Sequence, residues 1–152
     1  VTSGNSTEKH ISVQENKIYY YSSVNRDSAV ELNKKIAELE SKSLSLSNSL
    51  EIDPPPVKIM INSGGGSIVA GISSMDTIIR SKVPIHTYVD GFAASAATFL
   101  SVVGTHRLMK TIKDVYKKYT KVPMKQLDGI LKHDLLWDAQ KCLDMGMIDQ
   151  II

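Results

Sequence analysis

The chain has 152 residues, 42% of them hydrophobic and 22% charged, with a formal net charge of +2. A single domain of that length buries roughly two thirds of its unfolded surface, and so small a charge gives no argument for nucleic acid or a membrane surface as partner. Cys142 is the only cysteine, which excludes an internal disulfide and points to a reducing compartment.

Residues 1–16 are polar and read as a flexible N-terminal segment, with no apolar core of a secretory signal. No window has the apolar length needed to span a bilayer. A cytoplasmic protein is expected. KIYYYS, residues 17–22, is tyrosine-rich and bounded by polar residues, as a strand is. Asp27 or Ser28 then caps a helix, Ser28 and Glu31 having capping-box spacing, and Ala29, Leu32, Ile36 and Leu39 form its apolar stripe. In SKSLSLSNSLEIDPPP serine alternates with leucine before three prolines, and the stretch reads as an extended connection or insertion.

VKIMI, residues 57–61, is apolar enough for a strand covered on both faces. NSGGGS leads into a helix with Ile68, Ile72, Met75 and Ile79 on one face. PIHTYVD, residues 84–90, is a further strand, and GFAAS turns into a helix from Ala94 to about Val102. Strand and helix alternating at this spacing imply right-handed βαβ crossovers in a mostly parallel sheet, where ligands sit at the carboxyl ends of the strands. Both glycine-bearing turns fall there. Beyond them, Leu108, Ile112, Val115 and Tyr119 share a helical stripe, and Met124 to about Lys132 continue after Pro123. Asp138 caps a short helix that Gly146 ends, and MIDQII reads as a final strand.

NSGGGSIVAG lacks the Lys–Ser or Lys–Thr of a phosphate-binding loop, since Gly71 is followed by Ile72 and Ser73, and its glycines are out of register with a dinucleotide fingerprint. The three glycines either make a tight turn or leave a backbone N–H bare for a ligand. Ser95, the one serine in GFAASAATFL, taken alone is a cap or packing residue in a tight, dry setting. Placed beside the glycine turn by adjacent parallel strands, it acquires another meaning. The N–H groups of Gly66 and Ala96 can then converge on one oxygen, as in an oxyanion hole next to a hydroxyl.

NSGGGSIVAGISSMDTI followed by GFAASAATFL resembles the proteolytic subunit of the Clp protease, whose strand, glycine turn, helix, strand and G-x-A-A-S motif come in this order. The similar stretch runs from about Val57 to Val103, and HDLLWDAQKCLDMGMID is similar to the family's ending. Gly64 stands where the family usually has proline. The resemblance implies an α/β fold of the crotonase-like type over residues 1–152, with βαβ units, a mostly parallel sheet and C-terminal helices. It makes Ser95 the nucleophile, Gly66 and Ala96 the oxyanion donors and Asp134 the triad carboxylate. It implies hydrolysis of unfolded polypeptides, stacked heptameric rings of identical subunits, an AAA+ ATPase unfoldase as partner, and no cofactor. Alternatives are a catalytically silent ring subunit that modulates assembly and a crotonase-type enzyme acting on acyl-CoA thioesters. A plastid stroma or virus-infected cell would suit a divergent member.

A serine hydroxyl needs a base within hydrogen-bond reach. In the family the order is serine, histidine, aspartate. His10 and His86 precede Ser95, His106 follows it too closely, and His133 adjoins Asp134 in sequence, so the catalytic histidine is not identifiable. GTHR begins like a strand, yet LMKTIKDVYKKY is on helical period with no turn residue between. The expectation is that the family's handle segment, which carries the histidine, is absent between Arg107 and Leu108. Lysines 110, 113, 117 and 121 lie opposite an apolar stripe, as on a solvated helix face, so nucleic-acid binding is not expected. Cys142 has no partner at zinc-ligand intervals, and no metal is expected.

Overall fold

The computed structural model describes residues 10–109, 112–131 and 138–151. The chain divides after Met109 into two compact units.

The first unit is a five-stranded sheet with helices on one face. Its strands are β1 (Ile11–Gln14), β2 (Lys17–Tyr20), β3 (Val57–Ser63), β4 (Ile85–Ala93) and β5 (His106–Met109), and they lie in that order across the sheet. β1 and β2 pair antiparallel; β2 to β5 are parallel. The sequence reading of residues 1–16 as a flexible segment is corrected at β1. Ile11 and Val13 alternate with Ser12 and Gln14, and a tight turn with Glu15 at a φ of 54° folds them back on β2. A count of polar residues hides that two-residue period.

Helix α1 (Arg26–Leu50) begins at Asn25, not at Asp27 or Ser28. Asn25 is extended and accepts from the Ser28 N–H at 2.9 Å, while the Ser28 hydroxyl accepts from the Asn25 N–H at 3.0 Å. Ala29, Leu32, Ile36 and Leu39 are buried as expected. The helix then runs through the serine–leucine stretch that was expected to be extended. Ser41 and Ser49 bond back to the carbonyls of Ala37 and Ser45, one turn earlier, and the buried Ser43 donates to the Pro55 carbonyl at 2.6 Å. Serine hydroxyls satisfied within the helix in this way leave it continuous. Glu51, left-handed at a φ of 54°, ends it before the prolines.

Helix α2 (Ile68–Ile79) is capped by Ser67 and presents the opposite face to the one expected. Ala70, Gly71, Ser74 and Ile78 are buried, whereas Ile68, Ile72 and Ile79 are exposed. Small residues win the inner face because they let backbones approach closely. A Cβ on Gly71 would lie 3.0 Å from the Ala96 carbonyl oxygen and 3.1 Å from the Phe99 ring. Helix α3 (Ala97–Val102) follows β4, and Ala97 and Leu100 complete the core with Ile18, Tyr20, Ile59, Ile61 and Ile85. β5 runs unbroken through Arg107 and Leu108, in register with Thr87 and Tyr88 of β4, so the change of structure falls after Met109 instead of at the junction expected from the sequence.

The second unit holds α4 (Ile112–Tyr119), α5 (Met124–Leu131) and α6 (Ala139–Asp144). Asp138 caps α6, its carboxylate accepting from the Lys141 N–H at 2.7 Å, and Gly146 follows at a φ of 63°. Residues 147–151 form no strand, contrary to expectation. Among the described residues this unit offers no strand edge to pair with.

Candidate functional site

Three chain segments meet beyond the carboxyl ends of β2, β3 and β4. Val24 donates its N–H to the Gly65 carbonyl at 2.8 Å and accepts from the Ser67 N–H at 2.7 Å. This bridge pins the glycine turn to the segment after β2. On the other side, Ala94 donates to the Ser63 carbonyl at 3.0 Å, which ties the same turn to the segment after β4. The turn itself needs glycine: Gly65 and Gly66 have φ values of 94° and 145°.

Ser95 sits on the turn between β4 and α3 with a φ of 48°, a left-handed backbone that costs an L-residue roughly 1–2 kcal/mol. Directly against it lies Gly65, on which a Cβ would stand 2.7 Å from the Ser95 Cβ and 3.0 Å from the Ala96 nitrogen. Gly66, expected from the sequence to face Ser95, is instead packed on Val24, where a Cβ would lie 2.2 Å from the carbonyl oxygen. Gly65 and Val24 were thus missed. Three adjacent glycines conceal which one is in contact, and Val24 lies far away in sequence. Ala96 is buried and stands at the start of α3. Among the described residues the N–H groups of Gly66 and Ala96 have no acceptor, while the Gly65 N–H is taken by the Ser63 hydroxyl at 3.2 Å. The dry setting expected for Ser95 is corrected: Ser95 and Ala94 are exposed on the turn, and burial begins only at Ala96 and Ala97, where the chain enters α3.

Asp134 and His133 lie outside the described residues. His10 is exposed just before β1. His86 of β4 and His106 of β5 are in register with each other, their ring centroids 5.3 Å apart, at the amino ends of their strands, whereas Ser95 follows the carboxyl end of β4. Burial, then the neighbouring His106 and then Lys58 push the His86 pKa below its ordinary value. On the same side of the sheet, Tyr21 donates its hydroxyl to the Asp90 carboxylate, and the hydrogen bond is the main cause holding its pKa up at about 12. Tyr20 faces the core, its pKa raised by burial and partly offset by its hydrogen bond to Ser28.

The fold is α/β, with a glycine turn and a serine turn side by side at the carboxyl ends of a mainly parallel sheet. A family model described as Clp protease matches residues 6–109, more than half of the chain. The chain belongs to the Clp protease family. A curated ATP-dependent Clp protease proteolytic subunit from Deinococcus radiodurans is 24% identical over 131 aligned residues, which take in 63% of this chain and 64% of that protein. The chain therefore matches less than two thirds of that relative's length. The crystal structure of the ClpP protease catalytic domain from Plasmodium falciparum shares the fold, with a TM-score of 0.51 and 24% identity over 90% of this chain and 84% of that one.

Proposed function

We propose that this subunit hydrolyses peptide bonds by acyl transfer, with the Ser95 hydroxyl as nucleophile and the Gly66 and Ala96 N–H groups as donors to the developing oxyanion. The observation that carries this reading is the Ser95 turn. Its left-handed backbone, in contact with Gly65, presents an exposed serine next to the Ala96 N–H, which has no acceptor among the described residues. A serine strained in this way is maintained only where the surroundings over-determine it, as at functional sites. Donors fixed before reaction stabilise charge without reorganising during it.

Asp134 would orient a histidine that takes the Ser95 proton, and that histidine belongs to the family's handle segment, at which this sequence shows a gap. One figure supports such a gap. Of 152 residues, 63% is about 96, fewer than the 131 positions of the match to the Deinococcus protein, so parts of that relative have no counterpart here. Ring assembly of identical subunits and delivery of unfolded polypeptides by an AAA+ unfoldase complete the reading, in the cytoplasm or an organelle stroma. The uncovered isoleucines of α2, Ile68, Ile72 and Ile79, supply an apolar face suited to assembly. Among the described residues no helix is long and apolar enough to cross a membrane.

A second reading, a catalytically silent ring subunit, is favoured by the pairing of His86 with His106, which leaves neither described strand imidazole beside Ser95. A fluorophosphonate probe on the purified assembled protein decides between them. Labelling that disappears in Ser95→Ala supports the peptidase. No labelling of the wild type, with the rings intact, establishes the silent subunit.

A further inference from the structure

On the sheet face turned away from α1, α2 and α3, one row crosses four strands in register: Lys17, Lys58, His86 and His106. The last two are 20 positions apart in sequence but adjacent in space. We propose that His86 and His106 chelate one divalent transition-metal ion of the zinc class, bridging β4 and the edge strand β5.

The ring spacing accommodates a shared ion when one nitrogen of each imidazole faces it. A zinc–nitrogen bond of about 2.1 Å, added to about 1.1 Å from nitrogen to ring centre, puts each centroid about 3.2 Å from the metal. Centroids 5.3 Å apart then subtend an angle of about 110° at the ion, the tetrahedral value. The rings are tilted by 54°, and tetrahedral ligation places no demand that they be coplanar. His86 is half-buried and His106 exposed, so an ion reaches the pair from solvent. Among the described residues neither ring has a hydrogen-bond partner that would occupy its nitrogens.

Metal binding needs the imidazole lone pair, so a proton on either ring competes with it. Burial, His106 and Lys58 all disfavour the proton on His86. The positive charge of Lys58 also opposes the incoming cation, and no cluster of three or more His, Cys, Asp or Glu exists among the described residues. The site is therefore a two-ligand chelate with its other positions open to water. Imidazole suits zinc, nickel and copper alike, with copper(II) the tightest of the three. The ion would staple β5, which among the described residues pairs with β4 alone, to the body of the first unit.

Calorimetric titration of the full chain with zinc chloride tests the proposal. One ion per chain is expected at pH 7.5. A drop of at least about tenfold in affinity is expected at pH 5.5, where protons compete, and again in His86→Gln and in His106→Gln. The double variant His10→Gln/His133→Gln is expected to bind as the wild type does. In the wild type itself, the His86 and His106 ring resonances should shift together on zinc addition, a readout that needs no variant to fold. Absence of binding, full affinity in either strand variant, or shifts confined to His10 and His133 would overturn the assignment.

Discussion

Gly65 and Ser95 are in backbone-limited contact: a methyl group on the glycine would stand 2.6 Å from the Ala94 carbonyl oxygen and 2.7 Å from the Ser95 Cβ. Two turns that follow different strands are thus locked together through the one residue that has no side chain. The same turn is tied on its far side to Val24, so the height of Ser95 above the sheet is fixed from both directions.

Gly65→Ala should be among the most damaging single-methyl changes in the chain. It combines a φ of 94° with two sub-contact distances, and strain of that kind costs roughly 2–3 kcal/mol. Gly64→Ala is the matched control, because its nearest neighbour is the Phe92 ring at an ordinary 3.8 Å and its φ is not positive. Denaturant midpoints of the two variants should separate by most of that difference. Equal midpoints would mean that the turns give way easily and do not position Ser95.

The apolar runs of β3 and β4 and the stripe of Ala29, Leu32, Ile36 and Leu39 were readable because burial alone sets those patterns. The back half of α1 was not, since serine opposes helices by competing for backbone groups, and only the structure shows Ser41 and Ser49 bonding within the helix. The inner face of α2 was misread for a related reason. Periodicity finds the larger apolar residues, while close packing selected Ala70, Gly71 and Ser74. At the site, the two motifs correctly implied that the glycine and serine turns are neighbours, but which glycine touches Ser95 depends on backbone torsions that a run of three glycines leaves open.

The start of α1 rests on Ser28. Its hydroxyl meets the Asn25 N–H, the Ser23 carbonyl at 2.8 Å and the buried Tyr20 hydroxyl at 2.9 Å. Ser28→Ala removes half of the capping box and one partner of Tyr20, and should cost about 1–2 kcal/mol. Ser41→Ala, on the exposed side of the same helix, should change stability by less than about 0.5 kcal/mol. Urea unfolding of both variants checks the contrast, and a Ser28→Ala value within that smaller band would show that the box contributes nothing net.

Tyr21 should titrate late. Its hydroxyl donates to Asp90, which favours the neutral phenol, with burial and the Asp90 charge acting in the same direction to raise the pKa to about 12. Because the folded value lies above the ordinary 10, the contribution to stability is complete below pH 10 and is lost as pH rises through about 12. The phenolate absorbance lost in Tyr21→Phe gives the midpoint for this residue alone. Asp90→Asn should bring that midpoint down towards 10; an unchanged midpoint would assign the shift to burial.

The strain at Ser95 predicts a trade between stability and function. A φ of 48° is costly for any residue with a Cβ. Ser95→Gly relieves that cost, whereas Ser95→Ala removes only the hydroxyl and keeps the Cβ. Ser95→Gly should therefore be more stable than Ser95→Ala by about 1 kcal/mol, even though glycine elsewhere loses to alanine through its greater freedom when unfolded. Neither variant should label with a fluorophosphonate. Thermal unfolding of the pair gives the sign directly: an alanine variant more stable than the glycine one would mean that the turn relaxes out of the left-handed region, and that the backbone does not hold the hydroxyl in place.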